Sequence, residues 1–370
     1  MSLPRPSFPS TATATNLGQW PGTDPVETAK VSLGLLTPPH LPELAALPAR
    51  GTGSDAIGRT AAMLVEMPVD IQPYGWRFAD RPGLDQRRAV SALSTDTNVL
   101  ADVVGATGAA PTEFKVHLTG PFALAAAIHL HFGERALRDH GARRDIAQSL
   151  AAGLAAHAQT VQAAVPGAAL TLQIDEPSMA AVVAGTIPTA SGYRTLRSVP
   201  VAELRQTWTT LVAAARSAGF STVALNLARG EAFVGGGSAG NVSAENTRRE
   251  ELAWRSTLQT ALESGIDAVA VPLHGLNTWH WEQLAGALES GRGLWAGTVP
   301  VGKGAPPASY DVLVKRLMRP WQGLGLNASL LQQVRITPAE SLAELPPQQA
   351  RTVLARAVEV ADALGEIQHQ

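Results

Sequence analysis

Eight short runs of apolar and β-branched residues recur along this 370-residue chain, bounded by turn formers and separated mainly by longer amphipathic stretches. They are "TATATNLGQ" (11–19), "AAMLVEMPVD" (61–70, which also suits a helix running into a strand), "EFKVHLTGP" (113–121), "ALTLQIDEP" (169–177), "FSTVALNLA" (220–228), "DAVAVPLHG" (267–275), "GLWAGTVPV" (293–301) and "QVRITPAES" (333–341). Strands too apolar to leave one face wet need cover on both sides, and alternation with helices supplies that cover around a parallel sheet. The count predicts an α/β fold, a (β/α)8 TIM barrel forming a single domain over 1–370, with the first ten or so residues outside it. An open doubly wound sheet is the alternative.

The intervening helical patterns include "LDQRRAVSALSTDTNVLADVV", "RRDIAQSLAAGLAAHAQTVQAAV", "VPVAELRQTWTTLVAAARSAG", "NTRREELAWRSTLQTALESG" and "PPQQARTVLARAVEVADALG". Ala and Leu line one side of each, with Arg, Gln and Glu on the other, as suits an outer ring of helices. Gly219, Gly265 and Gly365 are expected to close their helices in a left-handed conformation. The Gly/Ser stretch "GEAFVGGGSAGN" (230–241) lacks the Lys-Ser/Thr ending of a phosphate cradle and reads as a connector over the barrel mouth.

Cysteine is absent, which removes disulfides, thiolate nucleophiles and every cysteine-ligated metal site. The formal net charge of −2 arises without runs of like charge, so a nucleic-acid partner is not expected. No apolar run reaches the roughly 20 residues a membrane span needs, and no signal-peptide pattern opens the chain. A cytoplasmic protein acting on a small, amino-acid-like molecule is the expectation.

In a barrel, ligands bind where the strands end, so the last residues of each run are the candidates. These are Gly18 and Gln19, then His117, then the adjacent acids Asp175 and Glu176, then Asn226 with Arg229, His274, and Glu340 with Ser341. Each also has a plainer reading. Either acid could cap a following helix, and His117 could be a hydrogen-bonded core histidine. Trp279 and Trp281 read as packing residues.

Four of these segments together resemble the catalytic barrel of cobalamin-independent methionine synthases. "TNLGQWPGT" is similar to that family's "TTIGSFPQT", "HLTGPFALA" to its "LTGPVT", "LQIDEPSM" to its "IQIDEPAL", and "RITPAESLAE" to its late V-x-P-x-C-G-L segment. They fall in the family's order and span residues 15 to about 345. The length matches single-barrel relatives within the wider superfamily that includes the metal-free uroporphyrinogen decarboxylases.

The resemblance implies transfer of a methyl group from 5-methyltetrahydrofolate to homocysteine held as a zinc thiolate. It would assign Asp175 to the substrate amine and the Gly18 turn, with Gln19, to the substrate carboxylate. The family's amine-binding Glu falls on Thr52, and its folate-stacking Trp on Ala127. Its zinc ligands fall on Asn226, Ala228, Pro272 and Glu340, of which only Glu340 is a metal-binding type, so no zinc site is expected unless His274 or His280 rebuilds it. The catalytic candidates are therefore Asp175, Glu176 and His117, with folate a candidate cosubstrate. The readings left open are a methionine synthase-like methyltransferase, a metal-free enzyme of the same fold, or a non-catalytic amino-acid- or folate-binding protein.

Overall fold

The computed structural model describes residues 8–227, 244–302, 304 and 307–368. Among the described residues nine strands form: β1 (Thr13–Ala14), β2 (Val69–Gln72), β3 (Gly75–Phe78), β4 (Glu113–Thr119), β5 (Ala169–Asp175), β6 (Phe220–Asn226), β7 (Ala268–Pro272), β8 (Gly293–Val299) and β9 (Val334–Pro338). Seven build one parallel sheet in the order β1-β9-β8-β7-β6-β5-β4, while β2 and β3 pair as a separate antiparallel hairpin.

The remaining stave, second in chain order, is irregular. Leu41 N donates to Ala14 O and Ala46 N to Gly18 O on one side, while Lys115 N donates to Pro42 O and Leu44 N to Lys115 O on the other. Parallel bridges Gln19↔Ala46 and Glu43↔Lys115 complete the link. Segment 41–46 thus joins the two edge strands and closes the sheet into a TIM-barrel fold.

This corrects one expectation. The run 61–70 is not a barrel strand: its start finishes the helix Ala56–Ala61, and its end enters the hairpin at β2. A second correction concerns Gly365, which lies inside the helix Pro347–Gln368. A Cβ there would lie beside Thr11 Oγ1, so glycine serves close packing rather than termination. Gly219 and Gly265 do adopt positive φ, at 100° and 85°.

Phe114, Val116 and Leu118 point outward from β4 and are buried against helices, and the neighbouring strands repeat the pattern with Leu172, Ile174, Val223 and Leu225. The bore has its own small cluster of Leu17, Leu41, Ala224, Ala268, Ala270 and Trp295. Period-two alternation therefore gives the strands an apolar outward face, while the inward face is polar on β4 and β5 and small or apolar on β7 and β8. No helix among the described residues is long and apolar enough to cross a membrane.

Candidate functional site

The inward faces of β4 and β5 carry Lys115, His117 and Thr119 beside Thr171, Gln173 and Asp175, locked in register as neighbours. Asp175 in turn sits beside Asn226 of β6. The pairing brings three polar strand ends together at the carboxyl end of the barrel.

Asp175 is the focus. Gln173 Nε2 and Asn226 Nδ2 each donate to its Oδ1 at 2.7 Å, and His117 Nδ1 lies 3.2 Å from Oδ2. Its side chain keeps 18% of its exposure, so a held carboxylate still reaches solvent. Gly18 lies against the His117 imidazole: at φ +101° it occupies left-handed space, and a Cβ would come within 2.6 Å of the ring. Glycine is required there both for the turn and for the close approach.

Beneath this layer lies a buried ion pair. Lys115 Nζ is 2.7 Å from Glu43 Oε2 and donates to Gln173 Oε1 at 2.6 Å and to the Asn16 carbonyl. Asn16 Nδ2 donates to Glu43 Oε1 at 2.6 Å, and Gln173 Nε2 also donates to Leu17 O at 3.1 Å. Burial pushes the Lys115 ammonium down from its usual range, and the Glu43 carboxylate beside it pulls the other way. The ammonium stacks over Trp295 at 5.4 Å, with the Arg335 guanidinium also near that ring at 5.6 Å.

The adjacent Glu176 does something different. It is 1% exposed, and its carboxyl accepts from Phe122 N (3.2 Å) and Ala123 N (2.8 Å), at the start of the helix Pro121–Ala127. The segment after β5 thus caps the helix after β4. Gly120 leaves the room, since a Cβ there would clash with the Glu176 carboxyl. Burial pushes this carboxyl up to about 8, against the pull of the two amides.

The other candidates lie apart from this cluster. Ser341 Oγ donates to Gln19 Oε1 at 3.0 Å, joining the loops after β1 and β9. His274 Nε2 is 3.9 Å from Glu340 Oε1, with side chains 58% and 52% exposed. Thr52 is exposed in a turn, while Arg50 beside it pairs with the buried Asp96 at 2.7 Å. Ala127 ends its short helix half-buried. Trp281 is buried and Trp279 packs edge-on against Trp254 at 6.1 Å. Ala228, Arg229 and the stretch 230–241 lie outside the described residues.

Comparison with known proteins shows a structural likeness along the whole chain. A B12-independent methionine synthase from Shewanella sp. W3-18-1, in complex with selenomethionine, matches with a TM-score of 0.59 over 98% of this chain and 99% of that one, at 12% identity. The likeness is one of fold. A β-1,4-D-mannanase from Cryptopygus antarcticus matches at a TM-score of 0.39 and 10% identity over 94% and 90% of the two chains, too distant to carry an argument. No protein-family model matches the chain, and no curated protein matches it in sequence.

The described residues at the positions that the resemblance would assign to zinc do not suit that metal. Asn226 is committed to Asp175, and Pro272 has no donor side chain. His280 is turned into its own helix start: Asn277 N donates to its Nδ1 at 3.1 Å, and its N donates back to Asn277 Oδ1 at 3.2 Å. That leaves His274 and Glu340, a pair short of the three or four ligands zinc takes. Among the described residues no group of three or more His, Asp or Glu gathers in metal-binding geometry.

Polar residues hidden in an apolar strand were the missed signal. Glu113, Lys115, His117 and Thr119 alternate through "EFKVHLT", a period-two polar face that marks a polar bore. Glu43, between prolines, gives no such sign.

Proposed function

We propose that this barrel binds a small amino-acid-like molecule at its carboxyl-end mouth, with Asp175 receiving the ligand's ammonium group, and does so without zinc-thiolate chemistry. The carrying observation is the Asp175 carboxylate itself, steered by Gln173, Asn226 and His117 yet still open to solvent. A carboxylate held in one orientation matches a primary ammonium at little further ordering cost. A structurally similar barrel holding selenomethionine supports an amino-acid ligand here. The Gly18 turn, packed against the His117 ring, is the proposed carboxylate end, with Gln19 next to it in the chain. Thr52 remains a proposed outer contact.

Methyl transfer from 5-methyltetrahydrofolate to homocysteine, the reaction the sequence resemblance implies, finds no metal cradle among the described residues. Folate is the candidate cosubstrate, and folates enter the test beside the amino acids. A second reading, a metal-free enzyme, rests on the His117–Asp175 contact: an imidazole oriented by a carboxylate is the usual form of a proton-transfer pair. Glu176 is assigned a structural role instead.

The test is a thermal-shift panel of methionine, homocysteine and other amino acids, with and without zinc and folates. Ligands that bind only the native state raise its apparent stability. The proposal expects stabilisation by a primary amino acid that is independent of zinc and absent in Asp175→Asn. Methionine formation dependent on stoichiometric zinc would overturn it.

A further inference from the structure

Gln173 is fully buried, and each end of its amide faces a different kind of partner. Its Oε1 meets Lys115 Nζ at 2.6 Å, and its Nε2 donates to Leu17 O at 3.1 Å and Asp175 Oδ1 at 2.7 Å. An ammonium only donates, so the carbonyl end must face it and the NH2 end must face Asp175. Reversed, the amide would set its oxygen against a carboxylate and its nitrogen against a cation. Lys115 is itself fixed: it donates to Gln173 Oε1 and the Asn16 carbonyl and forms an ion pair with Glu43 Oε2 at 2.7 Å.

From this arrangement we propose that Lys115, though buried below the mouth, is a positioning residue for it. Through Gln173 it fills Asp175 Oδ1, leaving Oδ2, with His117 as its protein partner, as the atom that receives the ligand amine. The same amide holds the Leu17 carbonyl and so the turn at Gly18, tying both proposed ends of the ligand to one buried cation. This rests on the reading of Asp175 as the amine acceptor. It adds that the selectivity of that carboxylate is set one layer below it.

The test is NMR of the ligand-free protein with labelled glutamine and asparagine side-chain amides, so its outcome is separate from whether any amine binds. In the wild type the Gln173 NH2 is expected to show contacts to Leu17 and slow hydrogen exchange. In Lys115→Met those contacts should vanish and exchange should quicken at least about tenfold, as expected when a buried amide loses its partner, while the Trp208 indole on the outer shell keeps its signal. Since that variant leaves Glu43 uncompensated, Lys115→Met with Glu43→Gln repeats the test without a buried lone charge. A Gln173 amide that keeps its contacts and protection in either folded variant would overturn the proposal. So would a wild-type Gln173 NH2 that exchanges freely or lacks contact with Leu17, which decides the matter even if neither variant folds.

Discussion

The two halves of the barrel mouth are built on opposite plans. Around β1, 41–46, β4, β5 and β6, polar side chains interlock from the buried Lys115–Glu43 pair up to Asp175. Across the mouth, after β7 and β9, His274 and Glu340 approach only to 3.9 Å and stand half in solvent. The first half is an interlocked polar network, proposed above to receive the ligand amine; the second is an open rim where the resemblance would place two of its four metal ligands, at Pro272 and Glu340. A likeness in fold at 12% identity does not carry an activity with it, because function rests on the side chains at the strand ends.

The contrast is most sharply broken by charge removal. Lys115→Met should cost about 3–5 kcal/mol, because it strands a carboxylate in the interior, whereas Glu340→Ala or His274→Ala should stay within about 0.5 kcal/mol. Urea denaturation of the three variants checks this. Equal effects would dissolve the distinction between the halves.

Glu176 gives the next largest effect, through pH. Its carboxyl is pushed up to about 8 in the folded protein from an ordinary value of 4.5, so between these values the native state holds a proton the unfolded chain releases. Stability from this group is therefore highest below pH 4.5 and falls as pH rises to about 8, by a few kcal/mol, on the order expected for a shift of this size. Glu176→Gln should flatten that slope in denaturation series at several pH values. An unchanged slope would mean that the amides of Phe122 and Ala123 hold the carboxylate ionised.

Gly18→Ala comes third. A Cβ at 2.6 Å from the His117 ring, on a backbone at φ +101°, should cost about 1–3 kcal/mol. The same variant should displace the imidazole from Asp175, visible as a changed His117 proton spectrum. The smallest effect is expected at the rim, where Glu340→Gln should leave zinc content after dialysis unchanged and far below one ion per chain.

Much of the architecture is legible in the chain. The strand runs at 113, 169, 220, 267, 293 and 333 are apolar, β-branched and bounded by turns, and each becomes a stave with small changes at its ends. The second stave is not legible, because 41–46 lies in "PPHLPELAAL", where prolines deny the donors of a regular ladder and pairing reduces to isolated bridges. The run 61–70 misleads for the converse reason: Ala61, Met63 and Leu64 are buried at a helix end and Val69 at the start of the hairpin, not in a barrel strand. In the site, Asp175 and His117 are found from their position at strand ends. The difference between Asp175 and Glu176 is invisible in sequence, since it depends on which of two neighbouring acids turns back to the helix after β4.

The central claim is that Asp175, held by a buried network, grips an amine in a site that works without zinc. Calorimetric titration of the amino acid that most raises the melting temperature, into zinc-free wild type and zinc-free Asp175→Asn, tests it most directly. The account predicts binding to the wild type and at least about a tenfold weakening in the variant, the size of one charge-assisted hydrogen bond. Equal affinity in both proteins, or binding that appears only once zinc is added, would contradict it.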